Sequence, residues 1–203
     1  MCIRDRLNNW DLVGENRGRS NFDMRHRFVT SYLWELPFGP GRQFGGASRG
    51  VVSHLIGGWS TYGIVTLSTG FPLTVFSGVD SLNMGSGALA HPNQIADPEL
   101  PRSERDPSRW FNTAAFAIPA QYVFGTSGRN TVGGPGVGNV DFALIKNTSI
   151  TERQRLQFRA EFFNLLNTPH FGLPVNTMSS ASFGRVTSAG DARVIQFALK
   201  YLF

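Results

Sequence analysis

The sequence predicts an all-β fold in which long antiparallel strands follow one another as an up-and-down meander. Three observations lead to this prediction. Glycine (23 residues) and phenylalanine (17 residues) are abundant, a mixture that suits strands and turns better than helices. Charged residues make up only 16% of the chain, against about 25% in soluble domains. Several segments alternate large apolar residues with small or polar ones, as half-buried strands do.

Two strands are predicted in the first third of the chain, at residues 24–36 and 59–69. The apolar phase of the first consists of Phe28, Thr30, Tyr32, Trp34 and Leu36. The apolar phase of the second consists of Trp59, Thr61, Gly63, Val65 and Leu67. The second pattern is less regular, because Tyr62 and Ile64 fall in the polar phase. Both patterns repeat every second residue, which is the period of a strand.

A hairpin is predicted at residues 139–149 and 154–164. A turn centred near Thr151 would pair Leu144 with Phe158 and would place the apolar residues of both strands on one face. The opposite face would carry the charged residues Asp141, Arg155, Arg159 and Glu161. The hairpin is therefore expected to have one apolar face and one charged face.

The last strand, predicted at residues 192–203, shows the clearest alternation in the chain. Its large apolar residues are Ile195, Phe197, Leu199, Tyr201 and Phe203. The residues between them are smaller or more polar on balance. A strand of about 9–11 residues is long enough to cross a bilayer at a tilt.

Together these strands predict an incomplete C-terminal segment of a transmembrane β-barrel, with lipid on the apolar face and a water-filled lumen on the other. Asp141, Arg155, Arg159 and Glu161 are then lumen-facing. No apolar run approaches the ~18 residues that a membrane helix needs. The connections are long at residues 70–138 and 165–190 and short near residue 151, as expected for extracellular loops and a periplasmic turn. Aromatic residues near predicted strand ends, as in a membrane girdle, are Trp34, Trp59 and Tyr201.

The first residues do not fit the remainder of the chain. Residues 1–6 are charged and have no apolar core, so they are not a signal peptide, and we interpret them as an artificial start. Residues 7–203 are expected to be the C-terminal portion of the barrel. Cys2 is the only cysteine, which excludes a disulfide framework.

Three groups of residues resemble the TonB-dependent receptors of the Oar-like type, which carry a carboxypeptidase-regulatory domain. The first is Asn21-Phe22-Asp23-Met24-Arg25-His26-Arg27-Phe28. The second is Gly128-Arg129-Asn130 with Gly134-Pro135-Gly136 and Asn139-Val140-Asp141. The third is Glu161-Phe162-Phe163-Asn164-Leu165-Leu166-Asn167 with His170-Phe171-Gly172. Their order, together with the terminal phenylalanine, makes the resemblance specific over residues 21–203.

The resemblance implies a location in the Gram-negative outer membrane and the import of a scarce, bulky solute whose identity the sequence does not give. It implies the TonB complex as a partner, through an N-terminal plug region that this chain lacks. The terminal strand, with Ile195, Phe197, Leu199, Tyr201 and Phe203, resembles the signal read by the outer-membrane assembly machinery, where strand addition is the proposed mechanism. Two alternatives stay open: a surface adhesion or binding barrel without transport, and a secreted carbohydrate-binding β-sandwich.

An enzyme is not expected. The glycine-rich segment 133–138 precedes a strand and does not join a strand to a helix, so it is no phosphate cradle. The four histidines lie far apart in sequence, and no metal or other cofactor is predicted. Arginines are scattered and not clustered, which argues against nucleic-acid binding. Within the long connection, the residue types enriched at binding sites are Trp110, Phe111, Tyr122 and Arg129; alternatively, the connection packs on itself and on neighbouring loops.

Overall fold

A computed structural model of the chain describes residues 17–47, 49–85 and 90–203, so the expectation for residues 1–6 lies outside it. Among the described residues, the strands in chain order are β1 (Arg27–Glu35), β2 (Trp59–Ser68), β3 (Pro72–Leu73), β4 (Asn93–Gln94), β5 (Phe116–Ala117), β6 (Val132–Gly133), β7 (Val137–Ser149), β8 (Arg155–Phe163) and β9 (Val194–Leu202), and the α-helix is α1 (Val51–Ile56). Two compact units are present. Of the described residues, those in 27–67, 138–169 and 191–203 form the sheet unit, and those in 17–26, 68–137 and 170–190 form the loop unit.

The sheet unit contains five long strands in the order β1-β2-β7-β8-β9. Strand β8 pairs antiparallel with β7 on one side and with β9 on the other. Each strand lies beside the long strand that precedes or follows it in the chain, so the predicted all-β meander is confirmed. The sheet is open, with β1 and β9 at its edges. The structure therefore has the form of a partial barrel wall.

The register of the β7–β8 hairpin differs from the prediction by two residues. Leu144 lies opposite Ala160, and Phe158 lies opposite Lys146. The turn spans residues 150–154, because the Ile150 N–H donates to the carbonyl oxygen of Gln154 over 2.9 Å. Its centre is thus one residue later than predicted. A shift of two residues keeps every side chain on its own face, so the predicted separation of apolar and charged faces survives the correction.

The apolar face is continuous across β7, β8 and β9. One row in register joins Leu144 to Ala160 and Ala160 to Phe197, and directly opposite residues share a face. The rings of Phe158 and Phe197 stack at 6.1 Å. Between β1 and β2, the ring of Tyr32 covers Gly63, where a Cβ atom would collide with it. Most apolar side chains of this face at the edges are exposed, including Phe197 at 67%.

The loop unit has a hydrophobic core of its own. The buried residues of this core are Leu73, Val75, Phe111, Ala115, Phe116 and Val132. Trp110, Met178 and Phe183 pack against it. The short pairs β3–β6 and β4–β5 hold the backbone around the core. The two long connections therefore fold against each other, as the alternative of self-packing loops anticipates.

Candidate functional site

The polar face of the sheet carries the four charged residues that the sequence places there. Arg159 and Glu161 lie two residues apart on β8 and form a salt bridge of 2.6 Å between Nη2 and Oε1. Asp141 instead accepts the backbone N–H of Asn164 through Oδ1 at 2.9 Å. Arg155 lies at the start of β8, opposite Ser149 of β7. The structure thus brings two of the four together, and their contact with a lumen stays a prediction.

The residues predicted as an assembly signal lie mainly on the apolar face. Ile195, Phe197, Leu199 and Tyr201 face the same side of β9, because they lie opposite apolar-phase residues of β8. Phe203 follows the end of β9 and is 95% exposed. These positions leave a row of apolar side chains along an edge strand. Recognition of that row by an assembly machinery stays a prediction.

A cavity of about 1150 Å³ lies within the loop unit. Five of its lining residues are arginines, namely Arg19, Arg25, Arg102, Arg105 and Arg129. Two are carboxylates, Asp97 and Glu99. Five guanidinium groups against two carboxylates give the lining a net charge of +3. Positive charge in a concave site attracts anionic ligands.

Asn130 fixes one wall of this cavity. It is 3% exposed and has a φ of 56°, a left-handed conformation that asparagine tolerates better than most residues. Its Nδ2 donates to the carbonyl oxygen of Arg19 over 2.6 Å and to Oδ1 of Asn21 over 2.8 Å. Its Oδ1 accepts the hydroxyl of Thr74 at 3.0 Å. These bonds join three distant parts of the sequence at one point.

Two of the sequence motifs meet at this wall. Arg129 donates from Nη2 to Oδ1 of Asn21 over 3.1 Å. Gly18 approaches the backbone of Arg129 so closely that a Cβ atom would collide with its carbonyl oxygen. The motifs around residues 21–28 and 128–130 therefore build one structure. Their separation of about a hundred positions hides this contact from an analysis of local sequence patterns.

Glu99 organises a second part of the cavity lining. Its Oε2 accepts a hydrogen bond from Arg105, and its Oε1 accepts the backbone N–H of Gly133 at 2.9 Å. The indole of Trp110 donates to the carbonyl oxygen of Gly133 over 2.9 Å. Glu99 therefore balances the charge of Arg105 and ties it to the backbone beside Trp110.

The four residues that the sequence suggests for ligand contact lie in three different environments. Trp110 and Arg129 line the cavity. Phe111 is 1% exposed and belongs to the core, so it cannot contact a solute without unfolding of the core. Tyr122 is 67% exposed and lies outside the cavity lining. The arginines that accompany Trp110 and Arg129 are scattered in the sequence, which is why sequence patterns miss them.

In the part of the chain that the structure describes, no group of three or more His, Cys, Asp or Glu side chains is placed to hold a metal ion. No helix among the described residues has the length and apolar character to span a membrane. His91 binds the carbonyl oxygen of Ser127 through Nδ1 at 2.7 Å, a contact that stabilises the loop unit.

An open antiparallel sheet with one apolar and one charged face, joined by one tight turn and long connections, defines the wall of a membrane β-barrel. The chain matches the family described as outer membrane beta barrel domain over residues 4–196 and belongs to it. Its location is therefore the outer membrane, in association with the lipid bilayer. No curated protein and no solved structure matches the chain.

Proposed function

We propose that this chain supplies barrel wall and surface loops to a TonB-dependent outer-membrane transporter that imports a bulky, anionic solute. The arginine-lined cavity of the loop unit is the single observation that carries the proposal. Its volume of about 1150 Å³ is slightly above the range for small-molecule sites, about 300–1,000 Å³, which suits a bulky solute. The order of the receptor-like motifs along the sequence supports the TonB-dependent class.

In this proposal the solute enters the cavity from the surface and contacts guanidinium groups. Arginine offers several donors in a planar arrangement that suits carboxylate or phosphate oxygens. Transport then requires binding and release, with no bond made or broken by residues of this chain. The protein is accordingly proposed to be no enzyme. The TonB complex and the outer-membrane assembly machinery are proposed partners, and β9 is the segment proposed to meet the latter.

Genetic interaction with the TonB complex tests the transport proposal. Four strains of the host bacterium are compared: wild type, one lacking this protein, one lacking the TonB complex, and one lacking both. We expect the loss of this protein to slow growth on one limiting solute, and the double loss to be no worse than loss of the TonB complex alone. A growth defect that adds to the TonB defect would contradict the proposal.

An adhesion or binding barrel without transport is the second candidate, and the same strains distinguish it. The exposed loop unit with its charged cavity suits surface binding as well as uptake. In that case, loss of the protein lowers attachment to a surface and leaves growth unchanged, whether or not TonB is present. The third alternative, a secreted β-sandwich, is wrong because the chain belongs to an outer-membrane family.

Binding of citrate by the refolded chain tests the anionic chemistry of the cavity. The double variant Arg25→Gln/Arg102→Gln is expected to bind citrate about tenfold more weakly, which corresponds to about 1.4 kcal/mol, because two charged donors are lost. Isothermal titration calorimetry in detergent gives the affinity. The control is Arg185→Gln, an exposed arginine of the loop unit outside the cavity. Equal binding by the double variant, or equal binding of neutral sucrose by the wild type, would refute the anionic assignment.

A further inference from the structure

The connection between β1 and β2 is described at residues 36–47 and 49–58 and lies at one end of the strands of the sheet. The Leu36 N–H donates to the carbonyl oxygen of Trp59 over 2.9 Å where the segment leaves and re-enters the sheet. The Asn147 N–H donates to the carbonyl oxygen of Gly58 over 2.8 Å. The end of β7 and the tight turn at residues 150–154 are therefore at this same end of the sheet. We call residues 36–47 and 49–58 the interface segment.

The interface segment bends towards the apolar side of the sheet. Lys146 lies opposite Phe158 and so projects from the apolar face. Its Nζ donates to the carbonyl oxygens of His54 and Gly57 at the end of α1. Trp59 projects from the same face, since the Lys146 Nζ lies 5.2 Å from its ring centroid. Both side chains thus hold α1 beside the apolar face.

Trp59 adds a second attachment to the helix. Its indole Nε1 donates to the carbonyl oxygen of Leu55 over 2.9 Å. A helix of six residues is too short to be stable alone in water. Its stability therefore comes from the sheet, through hydrogen bonds to its last carbonyl groups. These bonds involve backbone oxygens of the helix and leave its side chains free to contact another surface.

The side chains of the interface segment are apolar and exposed. Val51 is 75% exposed, Val52 is 56% exposed and Leu55 is 66% exposed. Phe38 and Phe44 are also exposed, with their ring centroids 5.7 Å apart. Val51, Val52 and Leu55 share one face of α1 by their spacing, and exposed apolar side chains grouped in this way mark an interaction surface. Lys146 and Trp59, which hold α1, project from the apolar face of the sheet, the face that meets lipid in an outer-membrane barrel.

We propose that the interface segment is a membrane-interface anchor, in which Val51, Val52 and Leu55 enter the boundary between phospholipid headgroups and acyl chains. Trp59 and Lys146 are the residue types that favour this depth, because each combines an apolar body with a polar end. Arg49 is exposed immediately before α1 and is placed to meet phospholipid phosphate. The segment attaches one end of the sheet, where β1 ends and β2 begins, to the bilayer surface. This role is independent of any transport.

Depth-dependent fluorescence quenching tests the anchor. A fluorophore is attached to Val52→Cys in the full chain with Cys2→Ser, refolded into vesicles of phosphatidylethanolamine with a minority of phosphatidylglycerol. Nitroxide quenchers are placed either near the headgroups or near the middle of the acyl chains. We expect position 52 to be quenched more strongly by the shallow nitroxide. A label at Phe197→Cys should be quenched more strongly by the deep one.

The matched control is a label at Ile95→Cys, which replaces an apolar residue of the loop unit that is 67% exposed. This label should remain accessible to aqueous iodide and be quenched little by either nitroxide. Quenching at position 52 that does not exceed quenching at position 95 overturns the proposal, whether or not the label at position 197 is quenched. In that case the segment lies in water.

A substitution within the segment provides a second measurement. Leu55→Asp places a charge in the proposed contact, and the hydrogen bonds of Lys146 and Trp59 to backbone oxygens remain available. It is expected to lower shallow quenching at position 52 by about twofold or more, since a charged side chain opposes interfacial burial. Quenching at position 197 should not change. Unchanged quenching at position 52 in this variant would overturn the assignment of Leu55 to lipid contact.

Discussion

Replacing Phe111 with alanine is expected to destabilise the loop unit by about 3–5 kcal/mol. Phe111 is 1% exposed and is among the largest fully buried side chains. Its ring meets Phe183 at 5.3 Å and Phe116 at 6.1 Å between centroids, both in T-shaped geometry. Truncation removes these contacts and leaves a cavity that the surrounding rings cannot fill without moving.

Trypsin cleavage of the refolded chain measures this effect. Arg102 and Arg109 lie in the loop unit and precede Phe111 in the sequence. Trypsin cleaves after them when this region opens locally, so the cleavage rate reports the stability of the unit. A loss of 3 kcal/mol or more should raise the cleavage rate there by more than about a hundredfold when opening is fast. The control is Phe22→Ala, since Phe22 is 77% exposed and its loss should cost less than about 0.5 kcal/mol. Equal cleavage of the two variants would mean that Phe111 is not central to the core.

The same residue shows where sequence analysis fails. Phe111 was a candidate for ligand contact because aromatic residues are common at binding sites, yet it is buried. Its partners Phe116 and Phe183 come from separate connections, and no period of two or 3.6 links them. Burial in such a unit depends on long-range packing, which a single sequence does not display locally. The arginine-lined cavity was hidden for the same reason.

The long strands were predictable because their signal is local. Alternation in β9 from Ile195 to Tyr201 is visible from neighbouring residues alone, and it fixes both the strand and its apolar face. The register of the β7–β8 hairpin was harder to predict from the sequence. The turn after β7 has five residues, with the Gln154 N–H bonded to the Thr151 hydroxyl oxygen at 3.1 Å, and the sequence contains no glycine there to mark its centre.

Helix α1 also escaped prediction, and the cause is physical. Val51 and Val52 are β-branched and disfavour helix, and no side chain caps its start. The helix depends on Lys146 and Trp59, which bind its last carbonyl oxygens. These residues belong to β7 and β2. An element held mainly by contacts with distant strands has a weak local signal, in contrast to the strands themselves.

Replacing Phe197 with arginine is expected to destabilise the membrane-inserted chain by about 2–4 kcal/mol, the cost of a basic residue near the midplane on the lipid face of a barrel. Phe197 lies opposite Ala160 in the middle of β9 and is 67% exposed. An arginine side chain at position 197 would lose its hydration in hydrocarbon. It would gain no hydrogen-bond partner there, because the adjacent side chain on this face is the ring of Phe158.

The neighbouring substitution Gln196→Arg is the matched control, since it adds the same charge to the same strand on the opposite face. Gln196 lies opposite Glu161, which already pairs with Arg159, so an arginine there joins charged residues on the polar face and is expected to change stability by no more than about 0.5 kcal/mol. Urea unfolding of the chain in phosphatidylcholine vesicles, followed by tryptophan fluorescence, gives both values. The two variants add the same charge at neighbouring positions of one strand, so total charge is matched and the added arginines differ in the face on which they lie. Equal destabilisation at positions 196 and 197 would therefore show that the apolar face of this sheet does not meet hydrocarbon.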